Sequence, residues 1–324
     1  MMSIEALYAR HILSCKDFSY NEIMLVMKYT QYIEQQYKKH GFLDILRGKI
    51  LATLFFEPST RTRLSFETAM YRLGGQVITV EQGSSSSINK GETLEDMARV
   101  ISCYADVVAM RHPEPNSVMR FAAMATVPVL NAGDGPNEHP TQALLDLYTI
   151  FQAKNRFPAS NLKIGLVGDL KNSRTTHSLI KLLKHFGAHF VLISSPEIRL
   201  PDTLIDEMKQ SGCTVSEEMD LEHAIVSLDV LYVTRIQRER FDCIDSYQKV
   251  QGSYQVNANL LLKSKSDLVI MHPLPRIDEI HTDVDADPRA FYFHQVANGC
   301  YIRMALLALV LLKDKERLRN NSYN

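Results

Sequence analysis

A chain of 324 residues is long for one hydrophobic core and long enough for two α/β domains of about 150 residues each. Apolar residues make up 45% and charged residues 23%, which is the composition of a folded protein and excludes a largely disordered one. The formal net charge of -1 provides no overall attraction to nucleic acid or to an anionic membrane, so anion binding must depend on locally placed Arg, Lys and backbone N–H groups.

The five cysteines are too scattered to form a disulfide framework or a zinc cluster. Their number is odd and none stands in a C-x-x-C pair. The N-terminus lacks a basic segment followed by an apolar core, and the longest apolar run, residues 304–312, is about half the length of a membrane-spanning helix. These features predict a cytoplasmic protein with reduced thiols that binds neither a membrane nor nucleic acid.

Short β-rich runs alternate with helical patterns along the chain. The helical patterns at residues 64–73 and 175–186 are followed by Gly74 and Gly187, and glycine commonly ends helices. Strands are predicted at residues 50–56, 77–80, 107–110 and 127–130 in the first half, and at 162–167, 190–193, 230–233 and 268–271 in the second. The alternation predicts an α/β fold of two domains, each a parallel β-sheet flanked by helices.

The order of these elements also suggests where the two domains meet. We expect the first domain at residues 1–150 and the second at residues 151–296. The connection is the helical pattern 141–153 with the polar stretch 154–161 that follows it. The last helix, expected at residues 297–318, is long and apolar, and we expect it to pack back on the first domain.

Residues 55–63 contain the strongest local signal for ligand binding, because they join a predicted strand to a predicted helix. Ligands bind at the carboxyl ends of parallel strands, and the N-terminus of the following helix offers unpaired N–H groups. Hydroxyl groups and planar arginine forks are supplied by Ser59, Thr60, Arg61 and Thr62. The segment predicts an anion site, but an ordinary serine-capped helix with solvated arginines remains an alternative.

A serine-rich loop at residues 83–92 is a second candidate. It contains Lys90, which such a loop can place on an anion as a single positive charge. Composition alone favours a plain solvated loop.

Three His-Pro pairs stand at predicted strand ends or turns, at residues 112–113, 139–140 and 272–273. The first and third follow predicted strands directly, and His139 follows a glycine-rich turn and begins a helix. An imidazole at His139 can donate a hydrogen bond to a carbonyl oxygen whose negative charge grows during acyl transfer. Each pair alone is more often structural than catalytic, but three at such positions favour a chemical role.

Residues 166–174 again join a strand to a helix, in the second half of the chain. They lack the spacing of a dinucleotide-binding loop, and the sequence contains no P-loop. Arg174 stands near the helix start and Arg235 follows the predicted strand 230–233, so both are expected at the ligand edge of the sheet. Two arginines there suit a dicarboxylate, although either alone is more often a surface charge.

In this order, the blocks at residues 59–63, 111–113, 139–142 and 272–275 resemble the signature of the transcarbamoylase family. The resemblance covers residues 47–312. Several details are similar to the aspartate branch of that family: Phe-Glu-Pro precedes the first block, His-Pro-Leu-Pro stands where the ornithine branch has His-Cys-Leu-Pro, and residues 234–240 are similar to an aspartate-binding segment.

The resemblance implies transfer of the carbamoyl group from carbamoyl phosphate to the amino group of L-aspartate. The products are N-carbamoyl-L-aspartate and phosphate, in an early step of pyrimidine biosynthesis. The residues implied to bind carbamoyl phosphate are Ser59, Thr60, Arg61, Thr62, Ser86, Lys90, Arg111, His139, Gln142, Pro273 and Leu274. Those implied to act in catalysis are Arg61, Thr62, Lys90, Arg111 and His139. Those implied to bind L-aspartate are Lys90, Arg174, Arg235, Gln237 and Leu274.

The same resemblance implies an assembly. Ser86 and Lys90 are expected to come from a neighbouring subunit, so that active sites are shared and the working unit is at least a homotrimer. Neither a metal nor an organic cofactor is implied, and the binding of a separate regulatory chain stays open. Two alternatives remain: a transcarbamoylase with another amino acceptor such as ornithine, and a catalytically inactive structural paralogue.

Overall fold

The computed structural model describes residues 4–81, 91–155, 161–238, 241 and 244–313. The chain divides into two compact units, unit 1 with Met1–Leu144 and Ala297–Asn324, and unit 2 with Leu145–Val296. Both boundaries fall within helices, which are α5 (Pro140–Lys154) and α11 (Tyr292–Leu311). No helix within the described ranges is long and apolar enough to cross a membrane.

Unit 1 contains a four-stranded parallel sheet. Its strands, in the order β2-β1-β3-β4, are β1 (Ile50–Phe55), β2 (Gln76–Glu81), β3 (Val107–His112) and β4 (Val129–Asp134). Its helices include α1 (Tyr20–His40), α2 (Thr60–Arg72), α3 (Leu94–Ser102) and α4 (Ser117–Met124). The four predicted strands are confirmed, but β3 and β4 run further than expected, so that Arg111 and His112 belong to β3 and do not follow it.

Unit 2 contains a five-stranded parallel sheet with the order β7-β6-β5-β8-β9. Its strands are β5 (Lys163–Val167), β6 (His189–Ile193), β7 (Thr214–Glu218), β8 (Val230–Val233) and β9 (Val269–Met271). Its helices include α6 (Arg174–Leu183), α7 (Asp202–Gln210), α8 (Leu221–Ile225), α9 (Ile244–Gln248) and α10 (Ala258–Leu261).

The sequence does not predict strand β7. It is an edge strand, and none of its five residues is buried. Its last three residues, Ser216, Glu217 and Glu218, have polar side chains. Edge strands of this kind have no hydrophobic run to reveal them.

Several helix ends differ from expectation. Helix α2 begins at Thr60 and not at residue 64, so the block of hydroxyl and arginine residues forms its first turn. Helix α11 begins at Tyr292, and the expected end at residue 318 lies outside the described residues. Its second half is buried within unit 1, where the Ala9 N–H donates to the Val310 carbonyl (2.9 Å), so the expected return of this helix is confirmed.

The strand orders create one switch point in each sheet. In unit 1, the chain proceeds from β1 to β2 on one side and from β3 to β4 on the other, although β1 and β3 are neighbours. In unit 2, β5 and β8 stand in the same relation. Ligands of open parallel sheets bind outside the carboxyl ends of the strands at such points.

Candidate active site

Ser59 and the first turn of α2 lie at the switch point of unit 1. Ser59 is the N-cap residue of α2, but its side chain makes no capping hydrogen bond. In contrast, Ser19 and Thr93 each accept a backbone hydrogen bond at the starts of α1 and α3. The alternative of an ordinary serine-capped helix is therefore wrong for Ser59, whose hydroxyl is not used to close the helix end.

Two arginines bring positive charge to this switch point. Arg111 in β3 pairs with Glu57, with 2.7 Å between Nη2 and Oε1. Partial burial and the neighbouring positive charge of Arg111 lower the pKa of Arg61. Like charges held close together attract an anion that compensates both.

The guanidinium of Arg111 lies against Gly133 in β4. Gly133 has φ +130°, and a Cβ there would stand 3.4 Å from Cγ, Cδ and Nη1 of Arg111. This backbone conformation is one that glycine adopts easily and other residues rarely do. The Nε of Arg111 is buried and has no hydrogen-bond partner among the described residues. Its N–H can therefore donate to a bound ligand.

Thr62 and His139 meet at the same edge. The Thr62 Oγ1 lies 3.5 Å from the His139 Nε2, and both side chains are buried. His139 directly precedes α5, and its carbonyl accepts from the Gln142 N–H at 3.0 Å. The first turn of α5 thus carries Gln142, whose side chain is half-buried.

The loop before His139 is held by two carboxylates that no sequence pattern singles out. The Glu138 carboxylate accepts from the Cys15 N–H (2.7 Å), and the Asp134 carboxylate accepts from the Asn137 side chain (3.0 Å). Bonds of this kind fix the position of a neighbouring functional side chain.

At the switch point of unit 2, the loop after β5 meets the segment after β8. Gly168 has φ +106°, and the Thr234 carbonyl passes so close that a Cβ on Gly168 would lie 2.2 Å from its oxygen. The buried Asp169 carboxylate accepts from the Asn172 N–H at 3.0 Å, and the Gln237 side chain donates to the Asn172 carbonyl at 3.3 Å. Three of the polar groups at this edge therefore hold one another in place.

The two expected carboxylate-binding arginines stand at these two strand ends. Arg174 is the first residue of α6, whose N-cap Ser173 accepts from the Thr176 N–H at 3.3 Å. Arg235 follows Thr234, whose N–H and hydroxyl both donate to the Val167 carbonyl, at 2.9 and 3.0 Å. Both arginines are half-buried.

A third loop in unit 2 follows β9, which lies beside β8. It contains Pro273 and Leu274, both half-buried. Leu274 has φ +51°, a left-handed conformation that costs an L-residue about 1–3 kcal/mol and is concentrated at functional sites. The sequence marks this loop by its His-Pro pair but gives no sign of the strained backbone.

The structure thus gathers the expected residues into two groups. Unit 1 holds Ser59, Thr60, Arg61, Thr62, Arg111, His139 and Gln142, and unit 2 holds Arg174, Arg235, Gln237, Pro273 and Leu274. Ser86 and Lys90 lie outside the described residues, so their roles stay predictions. Within the described ranges, no group of three or more His, Cys, Asp or Glu side chains is arranged to hold a metal ion.

Solved structures with the same fold include two enzymes of known activity. Aspartate transcarbamoylase from Trypanosoma cruzi, in complex with carbamoyl aspartate and phosphate, has a TM-score of 0.90 and 38% identity, and the match covers 96% of this chain and 99% of that one. The catalytic subunit of M. jannaschii aspartate transcarbamoylase has a TM-score of 0.86 and 44% identity, with 97% and 99% covered.

Sequence comparison places both halves of the chain in one family. Residues 10–152 match the domain described as "Aspartate/ornithine carbamoyltransferase, carbamoyl-P binding domain", and residues 160–310 match the one described as "Aspartate/ornithine carbamoyltransferase, Asp/Orn binding domain". The aspartate carbamoyltransferase catalytic subunit of Thermococcus gammatolerans is 52% identical over 302 residues, covering 93% of this chain and 97% of the relative. That of Methanopyrus kandleri is 50% identical over 303 residues, with the same coverage. The chain therefore belongs to the aspartate/ornithine carbamoyltransferase family.

Proposed function

We propose that this protein transfers the carbamoyl group of carbamoyl phosphate to the amino group of L-aspartate and releases inorganic phosphate. The relatives at 50–52% identity are named for this activity. In the reaction, the amine nitrogen forms a bond to the carbamoyl carbon, the bond from that carbon to the phosphate oxygen breaks, and the phosphate leaves with the electron pair.

The observation that carries the proposal is the meeting of Arg61, Thr62, Arg111 and His139 at the unit 1 switch point. Arg61 and Arg111 are close enough to shift the pKa of one of them, and Thr62 lies 3.5 Å from His139. This arrangement provides charge for a phosphate and hydrogen-bond donors for a carbonyl oxygen next to it.

The four groups divide the work of the reaction. The two arginines and the first turn of α2 bind the phosphate, which becomes the leaving group. The Thr62 hydroxyl, Arg111 and His139 donate to the carbonyl oxygen, which becomes an oxyanion when the neutral amine attacks. Loss of one preorganised donor of this kind typically costs roughly 3 kcal/mol of transition-state stabilisation. The phosphate itself accepts the proton that the amine loses, so no side chain need act as general base.

In unit 2, Arg174, Arg235 and Gln237 are proposed to bind the carboxylates of L-aspartate. Two half-buried arginines at neighbouring strand ends can each form paired hydrogen bonds with a carboxylate. On this basis we assign residues 1–150 with the C-terminal helix to carbamoyl phosphate, and residues 151–296 to L-aspartate. The carbonyl oxygens of Pro273 and Leu274 are proposed to accept hydrogen bonds from the carbamoyl amine.

The decisive experiment measures carbamoyl transfer by the purified chain, to L-aspartate and to L-ornithine in parallel. We expect product with L-aspartate and none with L-ornithine. Ornithine lacks the second carboxylate, so the groups of the site that bind this carboxylate would be left unpaired. Product with ornithine alone would replace the proposed acceptor. Absence of product with both, from a folded protein, would favour an inactive paralogue.

We further propose a homotrimer in which Ser86 and Lys90 complete the site of a neighbouring subunit. Unit 1 exposes apolar side chains on α2 and on edge strand β2: Leu64 and Tyr71, two turns apart on α2, and Ile78 on β2, with 37–55% of each exposed. Helix α2 packs against β2, so the two elements that carry these side chains are neighbours. Apolar groups gathered at a sheet edge favour burial against another chain.

The trimer is tested by mixing Lys90→Ala with Arg235→Ala chains, each expected to be nearly inactive. If Lys90 acts in the neighbouring site, mixed trimers contain some intact sites and recover part of the activity. Subunit exchange is confirmed independently by native mass spectrometry. No recovery after confirmed exchange would contradict shared sites, and a monomer in sedimentation would contradict the assembly.

A cytoplasmic location is proposed from the thiols. Cys103, Cys213 and Cys300 are unbridged, and burial raises the pKa of the Cys213 and Cys300 thiols, which keeps them protonated and unreactive. Cell fractionation tests this, and recovery from an oxidising compartment would contradict it.

A further inference from the structure

Hydrogen bonds of His272, at the end of β9, hold the start of the loop with Pro273 and Leu274. Its N–H donates to the Gln295 side chain at 3.0 Å. Its Nδ1 accepts from the Leu274 N–H at 2.8 Å, and its Nε2 donates to the Glu279 carboxylate at 2.7 Å. The imidazole is almost entirely buried, with 1% of the residue exposed.

These contacts fix the proton on the imidazole. Because Nδ1 accepts from a backbone N–H, it carries no proton, and the proton is on Nε2 facing Glu279. His272 is thus a neutral group of one orientation, with an acceptor aimed at the Leu274 backbone. It differs in this from His139, which is proposed to donate to the carbonyl oxygen of the substrate.

Glu279 completes the arrangement from the other side of the loop. One carboxylate oxygen takes the His272 proton, and the other accepts from the N–H groups of Ile277 (3.1 Å) and Asp278 (3.2 Å). Burial opposes ionisation, but the hydrogen bonds from His272 and the backbone lower the pKa of the Glu279 carboxyl below its ordinary value. A charged carboxylate therefore binds both ends of the loop, from residue 272 to residue 278.

A buried chain of side chains anchors His272 to the neighbouring strand. The Gln295 side chain donates to the Asp146 carboxylate (2.6 Å), which also accepts from the Tyr232 hydroxyl (2.8 Å). Tyr232 lies in β8, three residues before Arg235. The loop after β9 and the start of the Arg235 segment are thus held by one network in which each of these side chains is at most 5% exposed.

We propose that His272 and Glu279 are positioning residues that hold the Leu274 backbone in its left-handed conformation and so aim the Pro273 and Leu274 carbonyls at the carbamoyl amine. This inference rests on the proposed function, because it assumes that those carbonyls receive the amine. A polar network is costly to bury and is not needed for packing alone, since apolar side chains of similar size fill a core equally well. The strained φ of +51° at Leu274 requires an opposing force, and the bond to Nδ1 supplies one.

The test compares His272→Ala with His272→Asn. The Asn side-chain oxygen can still accept from the Leu274 N–H, whereas Ala removes both imidazole contacts. The probes are phosphonoacetamide, which carries a phosphonate and an amide, and methylphosphonate, which lacks the amide. Calorimetric titration gives the affinity ratio of the two, and steady-state kinetics gives kcat with L-aspartate.

We expect the unmodified chain to prefer phosphonoacetamide and His272→Ala to lose that preference while binding methylphosphonate unchanged. Its kcat should fall roughly a hundredfold, the order of loss that a displacement of about 1 Å causes. His272→Asn should recover part of both. Asp220→Ala serves as the control, because it removes the N-cap of α8, whose loss destabilises unit 2 without touching the loop.

An unchanged affinity ratio in His272→Ala overturns the positioning role, as does a loss in Asp220→Ala of equal size. A His272→Asn variant with no recovery in either readout also overturns it. These outcomes are separate from failure of the proposed function, which is seen when the unmodified chain transfers no carbamoyl group to L-aspartate.

Discussion

Replacement of Gly168 by alanine should damage unit 2 more than any replacement at an exposed glycine. Gly168 follows β5 with φ +106°, and an added Cβ would stand 2.2 Å from the Thr234 carbonyl oxygen and 3.0 Å from its Oγ1. The obstacle on one side is backbone, which cannot rotate away. Because Thr234 directly precedes Arg235, relief of the collision must displace that arginine.

The expected cost has two parts. A left-handed conformation costs an L-residue about 1–2 kcal/mol, and an overpacked contact in a rigid region costs about 1–3 kcal/mol more. We therefore expect Gly168→Ala to lower the free energy of unfolding by about 2–5 kcal/mol. Gly187 is a matched control: its φ is +63° and a Cβ there meets nothing within 4 Å, so Gly187→Ala carries only the first part, about 1–2 kcal/mol.

Urea unfolding of both variants measures the difference, which should be the collision part alone, about 1–3 kcal/mol, and corresponds to roughly 2–12 °C in melting temperature for a domain of this size. The KM for L-aspartate should rise in Gly168→Ala and stay unchanged in Gly187→Ala, with inorganic phosphate binding equal in the two. Equal loss of stability in both variants would refute the collision between the added Cβ and Thr234. An unchanged KM for L-aspartate in Gly168→Ala would refute the displacement of Arg235.

Three further predictions concern single charged or titrating groups. Arg61→Ala should weaken carbamoyl phosphate binding or turnover by roughly a hundredfold, the value of a charge-assisted bond to phosphate, and a mild effect in steady-state kinetics would contradict the phosphate site. Glu57→Gln removes the carboxylate that pairs with Arg111, so inorganic phosphate should bind about fivefold more tightly in calorimetry, and weaker binding would contradict competition at Arg111. Burial lowers the pKa of His177, so its contribution to stability is complete above the ordinary value of 6.5 and is lost as the pH falls below it. His177→Gln keeps a donor for the Leu170 carbonyl and should flatten the urea midpoint between about pH 5 and 7, and an unchanged slope would exclude this role.

The sequence alone predicts the fold class and the family-specific blocks of this protein. Buried strands on both faces of a parallel sheet are continuous apolar runs, and these are visible without knowledge of their neighbours. The blocks at residues 59–63, 111–113, 139–142 and 272–275 each stand at a strand end or helix start, which predicts ligand binding there, and their resemblance to the transcarbamoylase signature implies the individual site residues. Strand β7 is not predicted because none of its residues is buried, so its sequence contains no apolar run.

Only the tertiary structure decides how these blocks meet. Strand order depends on pairing between segments far apart in the chain, so the switch points between β1 and β3 and between β5 and β8 cannot be read from local patterns. The partners of the site residues follow from that order: Glu57 on Arg111, Gly133 beneath the same guanidinium, and Glu279 on His272. Their residue types are common and carry no local signal. These partners can be identified only after folding has brought them within a few ångströms of the site residues, because hydrogen bonds and ion pairs act only over such distances.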